Sequence, residues 1–225
     1  MKFKIIILFF VFFVSYACAD DSAGLVDFGP LQRLAGSGQE DKLKSLIESD
    51  YKSTLKNAKG IITYSFNAKI ASLLASYGAN VMDCNKFGWN ILMMGCSNKD
   101  IDLVKFALAN KLDVNSKDLV GHTPLSFCAA NQSTEIAQLI IKSGAYVNEQ
   151  DSQGRSILAL AAQEGNLELV VLLLQCNADP RIPDCENKLP SDYAKMAPED
   201  FVNKETYKKI EDLLNNAVKS YETKK

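Results

Sequence analysis

Few side chains in this sequence could do chemistry. His122 is the one histidine among 225 residues, and beyond the N-terminal segment the thiols are Cys84, Cys96, Cys128, Cys176 and Cys185. Imidazole can serve as a general base or a metal ligand, but either role needs a partner at a recognisable spacing, and His122 has none in the sequence. No Cys-x-x-Cys, His-Glu-x-x-His, Gly-x-Ser-x-Gly or phosphate-loop pattern occurs. Asn131-Gln132-Ser133 has the form of a glycosylation acceptor, a three-residue match that is common by chance. The residues therefore predict a chain that is not an enzyme and holds no cofactor and no metal.

The backbone that must position these groups is periodic. Residues 116 to 148 open with Ser116-Lys117-Asp118-Leu119-Val120-Gly121-His122-Thr123-Pro124-Leu125, pass through Cys128-Ala129-Ala130, and run after a polar break from Thr134 to Asn148. Asp118 and Gly121 spell a turn, because Asp accepts from backbone N–H groups just ahead of it and Gly takes positive φ. Thr123 is an N-cap and Pro124 suits the first helical position, so a helix starts there. Ile136, Leu139 and Ile140 recur at helical spacing, and Gly144 can end that second helix in the left-handed conformation. The same grammar returns thirty-three residues later at Asp151-Ser152-Gln153-Gly154 and thirty-three earlier at Asn85-Lys86-Phe87-Gly88. A turn with two short antiparallel helices, repeated at that period, marks a solenoid.

Gly121-His122-Thr123-Pro124-Leu125 followed by the Ala pair, closing on Gly144-Ala145-Tyr146-Val147-Asn148, resembles the ankyrin repeat. The resemblance implies an all-α ankyrin-repeat solenoid whose β-turn fingers and first helices line a concave face that binds a protein partner. It also implies which finger positions vary: the two residues after Asp or Asn and the one after Gly. Here these are Lys86, Phe87 and Trp89; Leu119, Val120 and His122; and Ser152, Gln153 and Arg155. These nine are the candidate partner-binding residues.

A finger tip that meets only water should be polar, so Phe87, Trp89, Leu119 and Val120 point to an interaction surface with Trp89 as its anchor. The competing reading has Phe87 and Trp89 filling a gap left by the irregular unit before them. The family's recurrent histidine belongs at Ser126, so His122 is a variable residue. Cys128 replaces an Ala of the first helix and Cys96 sits one place beyond the matching position, which reads both as buried, inert thiols. Cys176 and Cys185 flank one loop and could pair, if their Cα separation allows.

The expected repeat domain covers residues 30–219, with regular repeats at 83–115, 116–148 and 149–181. Before them come an N-terminal capping hairpin at about 30–50 and an irregular repeat at about 51–82. The latter has Leu55 where a Gly belongs, which predicts a helical hairpin with a shortened or missing finger. Residues 167 to 174 are apolar on nearly every side and are expected to form the most deeply buried helix. A last repeat and cap at 182–219 uses Asn187 in place of Gly and closes with an amphipathic helix carrying Phe201, Ile210, Leu213, Leu214 and Val218 on its inner side. Residues 220–225 read as a tail.

The N-terminus has Lys2 and Lys4, an apolar run from Ile5 to Val14, and an Ala-x-Ala end at Ala17-Cys18-Ala19. This is the grammar of a secretory signal peptide, residues 1–19, followed by a lead-in at 20–29, and it predicts export to a periplasmic, envelope-associated or extracellular site. An uncleaved anchor and lipidation of Cys18 are the two competing readings. Removing Lys2 and Lys4 from 25 basic residues leaves 23 against 27 acidic ones, a formal charge of −4. Without a basic stripe the chain is a poor nucleic-acid ligand. No membrane span is expected after signal cleavage, and the expected state is a monomer.

Overall fold

The computed structural model describes residues 29–52, 55, 58–65, 67–196 and 204–222. The expected leader with Cys18, residues 20–28, Pro198, Phe201 and residues 223–225 lie outside them. Among the described residues there are eleven α-helices and one isolated β-bridge, Gln150 to Ser156. Among the described residues the fold class is thus all-α, as the resemblance implies. The expected single domain divides into two compact units, one up to Lys86 and one from Phe87 onward.

In the first unit, α1 (Gly29–Ser37) and α2 (Glu40–Leu46) form the capping hairpin, and a wide π-type turn, Ile47–Tyr51, prolongs α2. Leu31, Ala35, Leu43 and Ile47 are its fully buried apolar contacts. The irregular repeat departs from expectation in one respect. Its first helix, not its turn, has been cut back, to a single 3₁₀ turn at Ile61–Tyr64, before α3 (Ala68–Ser76).

Chain length explains this. Only six residues separate Gly60 from Asn67, the cap of α3, whereas eleven separate Gly121 from Ser133, the residue before α7. The turn survives because Gly60 has φ +72° and its N–H donates to Asp83 at 2.9 Å. A Cβ there would lie 2.9 Å from the Cys84 carbonyl oxygen.

The second unit is a stack of helical pairs. Inner helices α4 (Ile91–Asn98), α6 (Pro124–Ala130), α8 (Ile157–Gln163) and α10 (Pro190–Lys195) alternate with outer helices α5 (Ile101–Ala109), α7 (Thr134–Lys142) and α9 (Leu167–Gln175). The inner helices α4, α6 and α8 start where an N-cap side chain takes up an otherwise unpaired N–H. Asn90 Oδ1 accepts from Met93 N at 3.0 Å, Thr123 Oγ1 from Ser126 N at 3.4 Å, and Ser156 Oγ from Ala159 N at 3.2 Å. Thr123 and Pro124 act as the sequence predicts. The outer helices α5 and α9 are capped in the same way by Asp100 and Asn166.

The most deeply buried helices are the inner ones α6 and α8, in which Pro124 to Ala129 and Ile157 to Ala162 are all covered. Helix α9 was expected to hold that place, but only Leu169, Val170 and Leu173 are buried and Val171 is 37% exposed. Position in the stack decides this. An inner helix such as α8 packs against α6, α9 and α10, while an outer helix keeps one flank toward water. Apolar composition alone does not carry that information.

The stack closes with α11 (Lys204–Glu222), whose Tyr207, Ile210 and Leu214 are buried. Tyr207 also donates to the Gln163 carbonyl at 3.1 Å and lies against Gly165, where a Cβ would meet its ring at 2.8 Å. Leu213 and Val218 are half-buried. The helix runs on through Ser220 and Tyr221, inside the expected tail. Arg181, itself paired with Asp179 at 2.7 Å, sits 4.7 Å from the Tyr221 ring centre and holds that last turn.

Candidate protein-interaction surface

Three turns of the second unit are built alike, and each is organised by an aspartate. One carboxylate oxygen of Asp118 accepts from Val120 N at 3.0 Å and His122 N at 2.8 Å. Asp151 does the same for Gln153 and Arg155, both at 2.9 Å, and Asp184 for Glu186 and Lys188, both at 2.8 Å. Each turn then bonds the one before it through the backbone. Leu119 N donates to Phe87 O at 3.1 Å, Ser152 N to Val120 O at 3.0 Å, and Cys185 N to Gln153 O at 3.0 Å.

This spacing requires glycine for two reasons. Gly88, Gly121 and Gly154 have φ of +80°, +83° and +76°. A Cβ on them would approach the next finger's backbone nitrogen to 3.1, 2.9 and 2.8 Å. In the fourth finger Asn187, at φ +61°, replaces glycine as the sequence predicts.

The second oxygen of Asp118 and of Asp151 faces the preceding finger, and that of Asp184 faces an inner helix. Asp118 Oδ2 accepts from the Trp89 indole N–H at 3.0 Å and lies 3.4 Å from His122 Nδ1. Asp151 Oδ2 lies 3.6 Å from His122 Nε2 and 2.8 Å from the Arg155 guanidinium. Asp184 Oδ2 accepts from the Tyr193 hydroxyl at 2.5 Å. Burial and the Asp184 charge together push that hydroxyl's pKa well up. Burial favours protonation of Asp151, yet bonds from His122 and Arg155 prevail and bring its pKa down to about 2. Asp118 is lowered on the same balance, burial being outweighed by His122 and the backbone N–H groups.

Of the nine candidate residues, Leu119 is 76% exposed and Val120 49% exposed, and Ser152 and Gln153 are also exposed. Phe87 is half-buried, and the side chains of His122 and Arg155 are mostly covered by the aspartates they serve. Trp89 is the exception to the exposed tip that the sequence predicts, for it is only 8% exposed. Its N–H is spent on Asp118 and its ring packs edge-on against Phe127 with centroids 4.8 Å apart, so it belongs to the frame and cannot be an exposed anchor. Lys86 is exposed and is the last residue of the first unit.

The aspartates are the residues that frame this surface, and sequence reading passes over them as turn formers only. The signal was present. A nitrogen donor stands 29 residues before Asp118, at Trp89, and 29 before Asp151, at His122.

Other chemistry-bearing residues fall outside this surface. Cys96 and Cys128 are buried, and contact with the Cys128 thiol, with burial, holds the Cys96 thiol protonated. Cys176 and Cys185 are free thiols and form no disulfide. The Asn131 side-chain amide donates to Phe127 O at 3.0 Å and Ser133 is buried. Among the described residues, no cluster of three or more His, Cys, Asp or Glu could hold a metal, and no helix is long and apolar enough to cross a membrane.

A family model described as ankyrin repeats, three copies, matches residues 92–184. A search of curated proteins found no match. The matched span starts within α4 and reaches Asp184, so it takes in the fingers organised by Asp118 and Asp151 with both helices that follow each. Ankyrin repeats are protein–protein interaction modules, and residues 92–184 of the chain carry three copies of them.

Proposed function

We propose that the chain is an exported adaptor that holds a protein partner on its finger row and carries out no reaction of its own. One observation supports the choice of face. Leu119 and Val120 are two adjacent apolar side chains exposed at a finger tip whose backbone is bonded to the fingers on either side. An apolar pair gains nothing from water there, and a frame already rigid loses little entropy when a partner covers it. Export rests on the basic, apolar and Ala-x-Ala order of residues 1–19.

Affinity capture from envelope and extracellular fractions tests this, with the wild-type chain run beside a Leu119→Asp, Val120→Asp double variant. The variant should fold with stability within about 0.5 kcal/mol of wild type, since both side chains are exposed. It should lose a protein that the wild type retains, with affinity down at least about thirtyfold, the loss of roughly 2 kcal/mol typical of a strong contact. Identical captures would reject the finger row and favour the alternative reading, an envelope-anchored structural scaffold lipidated at Cys18 or an accessory protein to an enzyme.

A further inference from the structure

His122 is placed unlike any other side chain of the finger row. Its two ring nitrogens face two different carboxylates, Nδ1 toward Asp118 of its own finger at 3.4 Å and Nε2 toward Asp151 of the next finger at 3.6 Å. Both aspartate side chains are 1% exposed. Their remaining oxygens are already occupied by the backbone N–H groups of their own turns. A neutral imidazole carries one N–H and one lone pair. Whichever tautomer formed, the lone pair would face a buried carboxylate oxygen.

We propose that His122 is a cationic staple, protonated on both nitrogens at neutral pH, which ties the finger bearing Leu119 and Val120 to the finger that follows it. The charges facing it balance only on this assignment. Asp118 contributes one negative charge and Asp151 another, while Arg155 supplies one positive charge from the far side of Asp151. Trp89, on the near side, donates an uncharged N–H to Asp118, and the Phe127 ring of α6 meets the imidazole edge at 5.9 Å. Tyr193 of α10 gives its hydroxyl to Asp184 instead. Only a protonated His122 brings this buried set to neutrality, and a net buried charge is costly.

Titration tendencies agree with the geometry. Burial opposes the charge on His122, but the carboxylates of Asp118 and Asp151 overcome it and raise the imidazole to about 9. A pKa raised in the folded state stabilises fully below the unfolded value, about 6.5, and the gain disappears as pH climbs through about 9. Asp151, lowered to about 2, contributes above its unfolded value of about 3.9 and fails only as pH falls through about 2. The staple is therefore charged throughout the neutral range. It differs from the Asp118–Trp89 and Asp184–Tyr193 contacts, whose donors are uncharged.

As the only histidine, His122 gives an unambiguous nuclear magnetic resonance signal in the full chain. The expected result is a midpoint near pH 9 and, at pH 7, two ring nitrogens with the similar shifts of an imidazolium. A midpoint at or below about 7.5, or the split shifts of a neutral tautomer, would overturn the assignment.

The tie between fingers is read separately, from exchange of the Ser152 amide, which donates to Val120 O. In His122→Gln it should exchange at least about tenfold faster than in wild type while core amides of α6 and α8 stay protected, and His122→Arg should recover part of the protection. Unchanged Ser152 exchange in a folded His122→Gln would refute the staple. Should that variant not fold, the wild-type titration still decides the charge.

Discussion

Replacing Trp89 with alanine is expected to lower the stability of the second unit by about 3–5 kcal/mol, the usual cost of deleting a large buried aromatic. Two losses combine. The ring leaves a void beside Phe127, against which it packs at 4.8 Å, and the buried Asp118 Oδ2 loses the indole N–H at 3.0 Å. That oxygen keeps His122 Nδ1 at 3.4 Å, so the cost is that of one hydrogen bond to a charged acceptor, roughly 1.5–3 kcal/mol. Trp89→Phe separates the two, since it keeps most of the packing and removes only the hydrogen bond. It should cost about half as much. Urea unfolding followed by circular dichroism checks both variants. The opposite pattern, full stability with loss of a partner, would return Trp89 to the role of an exposed anchor.

Gly121→Ala should cost about 2–3 kcal/mol. The left-handed conformation at φ +83° penalises any Cβ by about 1–2 kcal/mol. In addition the new Cβ would stand 2.9 Å from Ser152 N, so the fingers must separate and weaken the Ser152 to Val120 bond, worth about 1 kcal/mol. Gly144 supplies the control. It has φ +98° but nothing within 4 Å of an added Cβ, so Gly144→Ala carries the conformational penalty alone. Equal melting temperatures for the two variants would mean that the close approach of fingers contributes nothing.

How much of this was legible in the sequence differs by residue. Turn, cap and helix start at Asp118, Gly121, Thr123 and Pro124 were readable because each depends on its own backbone conformation. So was Asn187 standing in for glycine. The left-handed Lys99, Lys111 and Gln132 were not, for nothing in a lysine or glutamine announces positive φ. They occupy it because the stack fixes where each helix ends: Lys111 stands in register with Gly144 and Asn177, thirty-three and sixty-six residues on.

The burial of Trp89 and the exposure of Val171 were hidden for a related reason. Both depend on what the adjacent repeat presents, Asp118 and Phe127 in one case and open solvent in the other. The exposed pair Leu119 and Val120 was legible, because apolar residues within a turn have no local use.

On the proposed function, the finger row and not the outer helices receives a protein. Photo-crosslinking tests it most directly, with a benzophenone side chain placed at position 119 in one variant and at the exposed outer-helix position 171 in another. A discrete adduct is expected from position 119 and none from position 171. An adduct formed from position 171 alone, or equally from both, would contradict it.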